Sequence, residues 1–249
     1  MPVSRRYYYD LHIHSCLSPC GDAESTPGNI AGMGALAGLH IMALTDHNTC
    51  RNCPAFFALA PRYGILPVAG MELTTAEDIH MVCLFATLEG ALAFDRLVDA
   101  RRVRVPNRPD IFGEQLLVDE EDRVIGCEPD LLTNATTISL EEAPALAASC
   151  GGVGYPAHID RPSNSVTAVL GCLPETPAFP CVELADGANE PDYRQRYLTP
   201  ATRVVVSSDA HYLWHIRDKE HHIELPDGAA DDDAVRRQLI AALGGGEQP

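Results

Sequence analysis

Six of the chain's ten histidines, with a set of carboxylates, fall where short β-like runs begin or end. His12 and His14 stand at i and i+2 in Asp-Leu-His-Ile-His. On a strand those positions face one side, so both imidazoles point together. Asp209 and His211 repeat the spacing at the end of Val-Val-Val-Ser-Ser-Asp-Ala-His. His47 closes Leu-Thr-Asp-His, Glu72 closes Gly-Met-Glu, His80 opens the next run, and His158 closes Tyr-Pro-Ala-His. One histidine of this kind is ordinarily a loop residue with its hydrogen bonds met. Six of them, accompanied by carboxylates, describe a metal-binding shell. Imidazole mixed with carboxylate suits Zn, Mn or Fe, whereas Mg and Ca prefer all-oxygen shells.

The elements that must position these groups alternate. Tyr7–His14, Ile41–His47, Ile65–Leu73, His80–Ala86, Gly152–His158, Cys181–Ala185 and Arg203–His211 read as strands. Pro27–Leu39 reads as a helix with Thr26 as N-cap and Pro27 at its first position. Further helices are expected over Pro54–Tyr63 (stopped by Gly64), Ala91–Arg102, Leu140–Cys150 and Ala234–Leu243, the last with Asp231–Asp233 at its positive end. Repeated strand–helix units imply a mostly parallel α/β sheet. Short strands with polar C-terminal ends favour a closed or nearly closed barrel with chemistry at that rim, and an open doubly wound sheet is the alternative. No Gly-x-Gly-x-x-Gly follows a strand, so no dinucleotide or P-loop site is indicated. Between 103 and 137 the alternation lapses, and Gln115–Val118 and Arg123–Cys127 flank an acidic turn that predicts a β-hairpin. This insertion reads equally as a substrate-selecting lid or a structural flap. A single domain is expected over 1–243, with a flexible tail over 244–249.

The chain of 249 residues carries a net charge of −17, which argues against nucleic-acid coats and anionic membranes as partners. No apolar run approaches the roughly 18–20 residues that span a bilayer. The first ten residues lack the apolar stretch of a signal peptide, and nine cysteines, an odd number, read as reduced thiols. A cytoplasmic protein is expected. Cys16, Cys20, Cys50 and Cys53 follow the first two metal-bearing strands, so a four-cysteine zinc or iron–sulfur site is the chemical alternative to four reduced thiols packed near the rim. The remaining five cysteines read as small core side chains.

Taken in order, His12/His14, Thr-Asp-His-Asn-Thr (45–49), Gly-Met-Glu (70–72), His80, Pro-Ala-His (156–158) and Ser-Asp-Ala-His (208–211) resemble the PHP (polymerase and histidinol phosphatase) family over nearly the whole chain. The resemblance implies a distorted (β/α)7 TIM-like barrel and a trinuclear centre with nine protein ligands. It implies one metal held by His12, His14, Glu72 and Asp209, and a second by bridging Glu72, His80 and His158. The third would take His47, His211 and Asp22, the last placed by counting back from Thr26-Pro27, with Glu24 as the fallback. Three divalent ions at +6 against three ligand carboxylates at −3 would make the loaded centre positive within an acidic chain. The implied activity is hydrolysis of a small phosphorylated substrate by a metal-bound hydroxide, with Glu72 and Asp209 at the reacting centre. Arg161, in His-Ile-Asp-Arg, is the candidate to clasp phosphate. Asp46 is the candidate to orient a ligand imidazole. His215, His221 and His222, on a predicted loop, are either a leaving-group acid or exposed loop residues, and His40 reads as structural. The alternatives are a nuclease or nucleoside bisphosphate phosphatase of the same family, and a non-catalytic metal-binding module. No membrane and no long nucleic acid is expected as a partner.

Overall fold

A computed structural model describes residues 3–246. The chain runs β1 (Ser4–Asp10), α1 (Pro27–Leu36), β2 (Ile41–Leu44), α2 (Cys53–Leu59), β3 (Leu66–Thr74), β4 (His80–Phe85) and α3 (Leu88–Asp99). The insertion contributes α4 (Pro109–Phe112), β5 (Leu116–Val118) and β6 (Val124–Cys127). Then follow α5 (Ala143–Ser149), β7 (Gly152–Pro156), α6 (Val166–Leu170), β8 (Cys181–Leu184), α7 (Glu190–Arg196), β9 (Arg203–Val206), β10 (His222–Pro226) and α8 (Asp232–Leu243).

β2 and β3 are buried along their whole lengths, which requires cover on both faces of the sheet. Alternate residues supply it. Met42, Leu44, Ala69 and Met71 join one core with Phe56 of α2 and Phe94 of α3. Ile41, Ala43, Val68, Val82 and Leu84 join a second with Tyr155 and with Val235, Leu239 and Leu243 of α8. A one-residue slip would exchange the two sets, so register is fixed by burial. α1 begins at Thr26, whose side chain accepts the Asn29 N–H, and Pro27 occupies the first turn. It stops three residues before the expected Leu39.

The main sheet is six-stranded, in the order β10-β1-β2-β3-β4-β7. β1, β2 and β3 are mutually parallel, while β4 is antiparallel to both neighbours. Gly70 lies where β3 and β4 approach closely: a Cβ there would meet the Cys83 carbonyl oxygen at 2.8 Å. β8 and β9 form a separate parallel pair. That pair is joined to β7 by Ile159 N–H donating to the Glu183 carbonyl (2.8 Å) and to β1 by His14 N–H donating to the Ala210 carbonyl (2.9 Å). The result is a curled, half-barrel α/β sheet with the β8–β9 pair bridging its open side, not a continuous seven-stranded ladder. The regular strand–helix alternation fails because β3 and β4 are joined by a tight turn, and because β10 adds an antiparallel edge to β1.

The insertion is a hairpin, β5 against β6. It is tied to the loops after β1 and β2: Leu116 N–H donates to the Cys16 carbonyl (2.8 Å), and Asn52 donates to the Leu116 carbonyl (3.1 Å). Asp122 at its turn accepts from Thr26 Oγ1 (2.8 Å) and the Gly28 N–H (3.0 Å), capping α1. α8 ends at Leu243. Of the expected tail, residues 247–249 lie outside the described residues. Among the described residues no helix is long and apolar enough to cross a membrane.

Candidate metal centre

The ligand strands are shorter than the sequence suggests. β1 ends at Asp10, β2 at Leu44, β7 at Pro156 and β9 at Val206, so His12, His14, His47, His158, Asp209 and His211 lie just beyond. Only Glu72 and His80 sit inside strands. The backbone kinks where the ladder stops: His158 (φ +27°), Asp209 (φ +50°) and Asn48 (φ +50°) occupy the left-handed region that non-glycine residues rarely adopt. Such strain gathers at functional sites, and here it turns side chains inward at the rim.

Glu72 is the hub. Its Oε1 lies 2.8 Å from His80 Nδ1, 3.0 Å from His158 Nε2 and 3.4 Å from His12 Nε2. Its Oε2 lies 3.1 Å from both His14 Nε2 and His47 Nδ1. Asp209 Oδ1 lies 3.3 Å from His12 Nε2 and 3.1 Å from His14 Nε2, and the latter two nitrogens are 3.2 Å apart. Metal–ligand bonds of about 2.1 Å place neighbouring donors about 3.0–3.4 Å apart at octahedral or tetrahedral angles. These spacings are therefore edges of coordination polyhedra. His47 Nδ1 and Asp209 Oδ1 are buried and make no hydrogen bond despite these neighbours. Buried polar atoms are normally paired, so orphaned donors converging on common points fit a bound cation.

Three donor groups result: His12, His14, Glu72 and Asp209; His47, Glu72 and His80; and His14, His47 and His211. The first set is the one read from the sequence. In the second, His47 joins Glu72 and His80, while His158 touches Glu72 from beside it. In the third, His14 accompanies His47 and His211 in the place expected for Asp22. The Asp22 N–H donates to the His211 carbonyl (2.9 Å), but its carboxylate instead accepts the Glu24 N–H (2.8 Å), an Asx turn that draws it off the cluster. Glu24 is exposed on the same turn.

The electrostatics match ligand duty. Burial opposes ionisation of Glu72, but the imidazoles of His80, His12 and His47 outweigh it and hold the carboxyl well below its ordinary value. Burial likewise opposes ionisation of Asp209, and His12 and His14 overcome it. Burial with neighbouring imidazoles drives His47 well down and His211 down to about 4. Neutral imidazole is the form that coordinates. Burial disfavours charge on His14 too, but Asp209 and Glu72 raise it to about 9.

Three of the imidazoles, those of His12, His14 and His211, are oriented by a partner on the other nitrogen. His14 Nδ1 meets Ser18 Oγ (2.9 Å), which donates to Asp46 (2.8 Å), and Ser15 donates to the same carboxylate (2.7 Å). Asp46 thus orients an imidazole through a serine rather than directly. His211 Nδ1 meets its own chain at the Asp209 carbonyl (2.9 Å), leaving Nε2 for the centre. Sequence reasoning missed Glu183. This buried residue on β8 places Oε1 2.8 Å from His12 Nδ1 and accepts the His158 N–H (3.1 Å). The available signal was a lone carboxylate near the C-terminal end of Cys-Val-Glu-Leu. Asp10, also missed, accepts the N–H groups of His12 (3.4 Å) and Ser208 (3.1 Å), and burial pushes its carboxyl up to about 6.

The centre opens to solvent through a narrow mouth of about 90 Å³ bounded by Arg161, Ser163 and Asn164. Arg161 Nη1 pairs with Asp209 Oδ2 at 2.6 Å, and the side chain is 41% exposed. No residue of the hairpin lines this mouth, and its hydrogen bonds run to the loops after β1 and β2. The four cysteines are not brought together as a donor group. Cys50 and Cys53 are buried in the main core with their thiols on the Gly70 carbonyl, Cys16 packs with Ala55 and Val118, and Cys20 is exposed. His222 belongs to β10, not to a loop, and is exposed there. His40 is structural in its contacts: its Nδ1 receives the Tyr8 N–H (3.1 Å).

Residues 10–150 match the PHP domain, and the chain belongs to this family of metal-dependent phosphoesterases. Over 93 residues it is 33% identical to an error-prone DNA polymerase of Symbiobacterium thermophilum, a match covering 37% of this chain and 8% of the polymerase. Its fold resembles a lesion-specific endonuclease of Pyrococcus furiosus over 97% of this chain and 56% of the endonuclease, with TM-score 0.60 and 18% identity. A Bifidobacterium adolescentis protein assigned as a metal-dependent phosphoesterase matches over 95% of this chain and 96% of its own length, with TM-score 0.57 and 19% identity. At these identities the structural likeness is one of fold. The chain spans a small part of the polymerase and about half of the endonuclease.

Proposed function

We propose that this chain hydrolyses a small phosphorylated substrate at a centre of three divalent ions, zinc, manganese or iron. His12, His14, His47, Glu72, His80, His158, Asp209 and His211 would hold them, with Asp22 as ninth donor once its carboxylate leaves the Glu24 N–H. The observation that supports this reading is the set of orphaned buried donors around Glu72, opening beside one exposed guanidinium. When bound, the ions supply Lewis acidity toward a phosphoryl oxygen and an activated water. The chain supplies the rest. Glu183, Ser18 and the Asp209 carbonyl fix which imidazole nitrogens face the centre. Arg161, with Nη1 on Asp209, has further N–H groups to donate to phosphate oxygens at the mouth. On the same reading, the curled sheet without its antiparallel edge strand β10, together with the β8–β9 pair, makes a distorted seven-stranded barrel with its rim at this centre. Cysteine usage supports a cytoplasmic setting.

The test is elemental analysis of the purified protein, then a phosphate-release screen with the metals found. Phosphate release that disappears in Glu72→Gln is expected. A fully metal-loaded protein that cleaves no phosphomonoester or diester in a broad panel would overturn the reading. A second reading, a nuclease or nucleoside bisphosphate phosphatase, draws on the 33%-identical polymerase segment. Including oligonucleotides and nucleoside bisphosphates in the screen separates the two.

A further inference from the structure

Directly after His211 the chain turns outward and presents aromatic rings. Tyr212 is 37% exposed and Trp214 is 69% exposed. Their rings stack, with centroids 4.9 Å apart and planes 27° from parallel. His215 sets its ring nearly perpendicular to both, at 5.2 Å from Tyr212 and 5.9 Å from Trp214. The turn is anchored on every side. Leu213 packs on the main core, Ile216 is buried, and Arg217 donates to the Ala185 carbonyl (2.6 Å) beyond β8. The turn is therefore held in place while the outer sides of the stacked pair stay in water.

Large apolar faces exposed in a fixed arrangement need an explanation, since folding normally removes them from solvent. Position supplies one. Three residues of chain span at most about 11 Å, so Trp214 stands within that reach of His211 at the rim where the metal mouth opens. We propose that Tyr212 and Trp214 form a stacking subsite for a nucleobase, so that the phosphoester carries a purine or pyrimidine. Flat heteroaromatic rings stack on tyrosine and tryptophan whatever their hydrogen-bonding edge. Neither ring lines the mouth itself, so a base stacked on them needs a spacer such as ribose between it and the phosphate. The net charge of −17 opposes a long polyanion, which leaves a free nucleotide or the end of a strand. The phosphate half of this proposal rests on the phosphoesterase reading; the stacking half does not.

Trp214 is the chain's only tryptophan, so intrinsic indole fluorescence reports the subsite directly. The full-length, metal-loaded protein is titrated with adenosine, adenosine 5′-phosphate, ribose 5-phosphate and a 5′-phosphorylated tetranucleotide. Adenosine and its phosphate are expected to change the emission saturably, and ribose 5-phosphate to leave it unaltered. Tyr212→Ala is expected to weaken the adenosine response about tenfold. Trp214→Ala is expected to lower the kcat/KM ratio for adenosine 5′-phosphate over ribose 5-phosphate by a similar factor. Tighter binding of the tetranucleotide than of the mononucleotide supports a strand end, and equal binding supports a free nucleotide. Equal responses to ligands with and without a base, or variants that leave both the response and the ratio intact, overturn the subsite. An adenosine response without hydrolysis of any ester sinks the phosphoesterase reading and leaves the subsite standing.

Discussion

Removing the carboxylate of Glu183 should loosen the metal centre without touching a metal donor. One buried oxygen, Oε1, serves two partners that follow different strands: His12 Nδ1 at 2.8 Å and the His158 N–H at 3.1 Å. Glu183→Ala strands both. Leaving a buried donor unsatisfied costs about 1–3 kcal/mol, so the metal-free protein should lose a few kcal/mol of stability. The freed His12 ring can then adopt the other tautomer or rotate. Losing such a supporting partner typically costs 10–100-fold in metal affinity, about 1.4–2.7 kcal/mol. Glu183→Gln separates the two effects. Its amide oxygen can accept both N–H groups, and its NH2 replaces Oε2, which has no partner. It should therefore recover the stability of those two bonds, less the cost of an unpaired buried amide N–H, while giving up part of the affinity, because a neutral amide raises the basicity of His12 less than a carboxylate does. Competition with a chelator reads affinity, and thermal unfolding of chelated protein reads stability. If Glu183→Ala binds metal as tightly as the parent and unfolds at the same temperature, Glu183 does not position His12. If the Gln and Ala variants lose affinity equally, the hydrogen bonds accepted by Oε1 do not hold His12 in place.

Other outcomes follow from particular contacts. Phe94→Ala, at a fully buried ring 5.0 Å from Phe85, should destabilise by about 3–5 kcal/mol in chemical denaturation, since α3 loses its main anchor to the sheet. Asp122→Ala removes the cap shared by Thr26 and Gly28; it should cost about 0.5–2 kcal/mol and leave metal stoichiometry unchanged, whereas a catalytic lid would show its defect in turnover instead. Metal at 100 times its dissociation constant should add about 2.7 kcal/mol of stability, reversed by chelation. Loading at pH 7.5 should release protons, because Asp209 and Glu72 raise His14 to about 9 and Glu183, Asp209 and Glu72 hold His12 well above its ordinary value, and the release should shrink as pH rises past 9; calorimetry in buffers of different ionisation enthalpy measures it.

Most of the side chains that cluster around Glu72 were legible in the sequence, and of the groups that support them only Asp46 was, for a physical reason. A metal donor must be a titratable side chain at the rim, so His12, His14, Glu72 and Asp209 announce themselves by type and by strand-end position. A supporting group is chosen by who its neighbour turns out to be. Glu183 matters because β8 lies beside β7 and the loop after β1, and nothing within Cys-Val-Glu-Leu records that adjacency. Ser18 is a common residue that acquires a role only because the loop after β1 folds back onto Asp46. The antiparallel β4 is a different case. Only five residues separate Thr74 from His80, too few for the dozen or more that a parallel crossover needs, so the break in barrel alternation was present in the spacing itself. β10 was hidden by its brevity and its closing Pro226, although the burial of Ile223 and Leu225 follows the alternation of an edge strand.

The hairpin shows how such hidden adjacencies stabilise the site. Its residues never reach the mouth, yet Leu116, Val118 and Asp122 bond to Cys16, Asn52 and Thr26, the chain that carries the ligand loops after β1 and β2. Asn52 in turn donates to Ser15 Oγ (3.0 Å), and Ser15 donates to Asp46. A continuous hydrogen-bonded path therefore runs from the insertion to the Ser18–His14 contact. Asn52→Ala breaks that path between hairpin and Ser15 while leaving every donor and every Asp46 bond in place. If the insertion serves as a brace, this variant should bind metal several-fold more weakly, in the lower part of the 10–100-fold range for supporting residues. Chelator competition measures it, and a variant with parental affinity would show that the hairpin stabilises the fold alone.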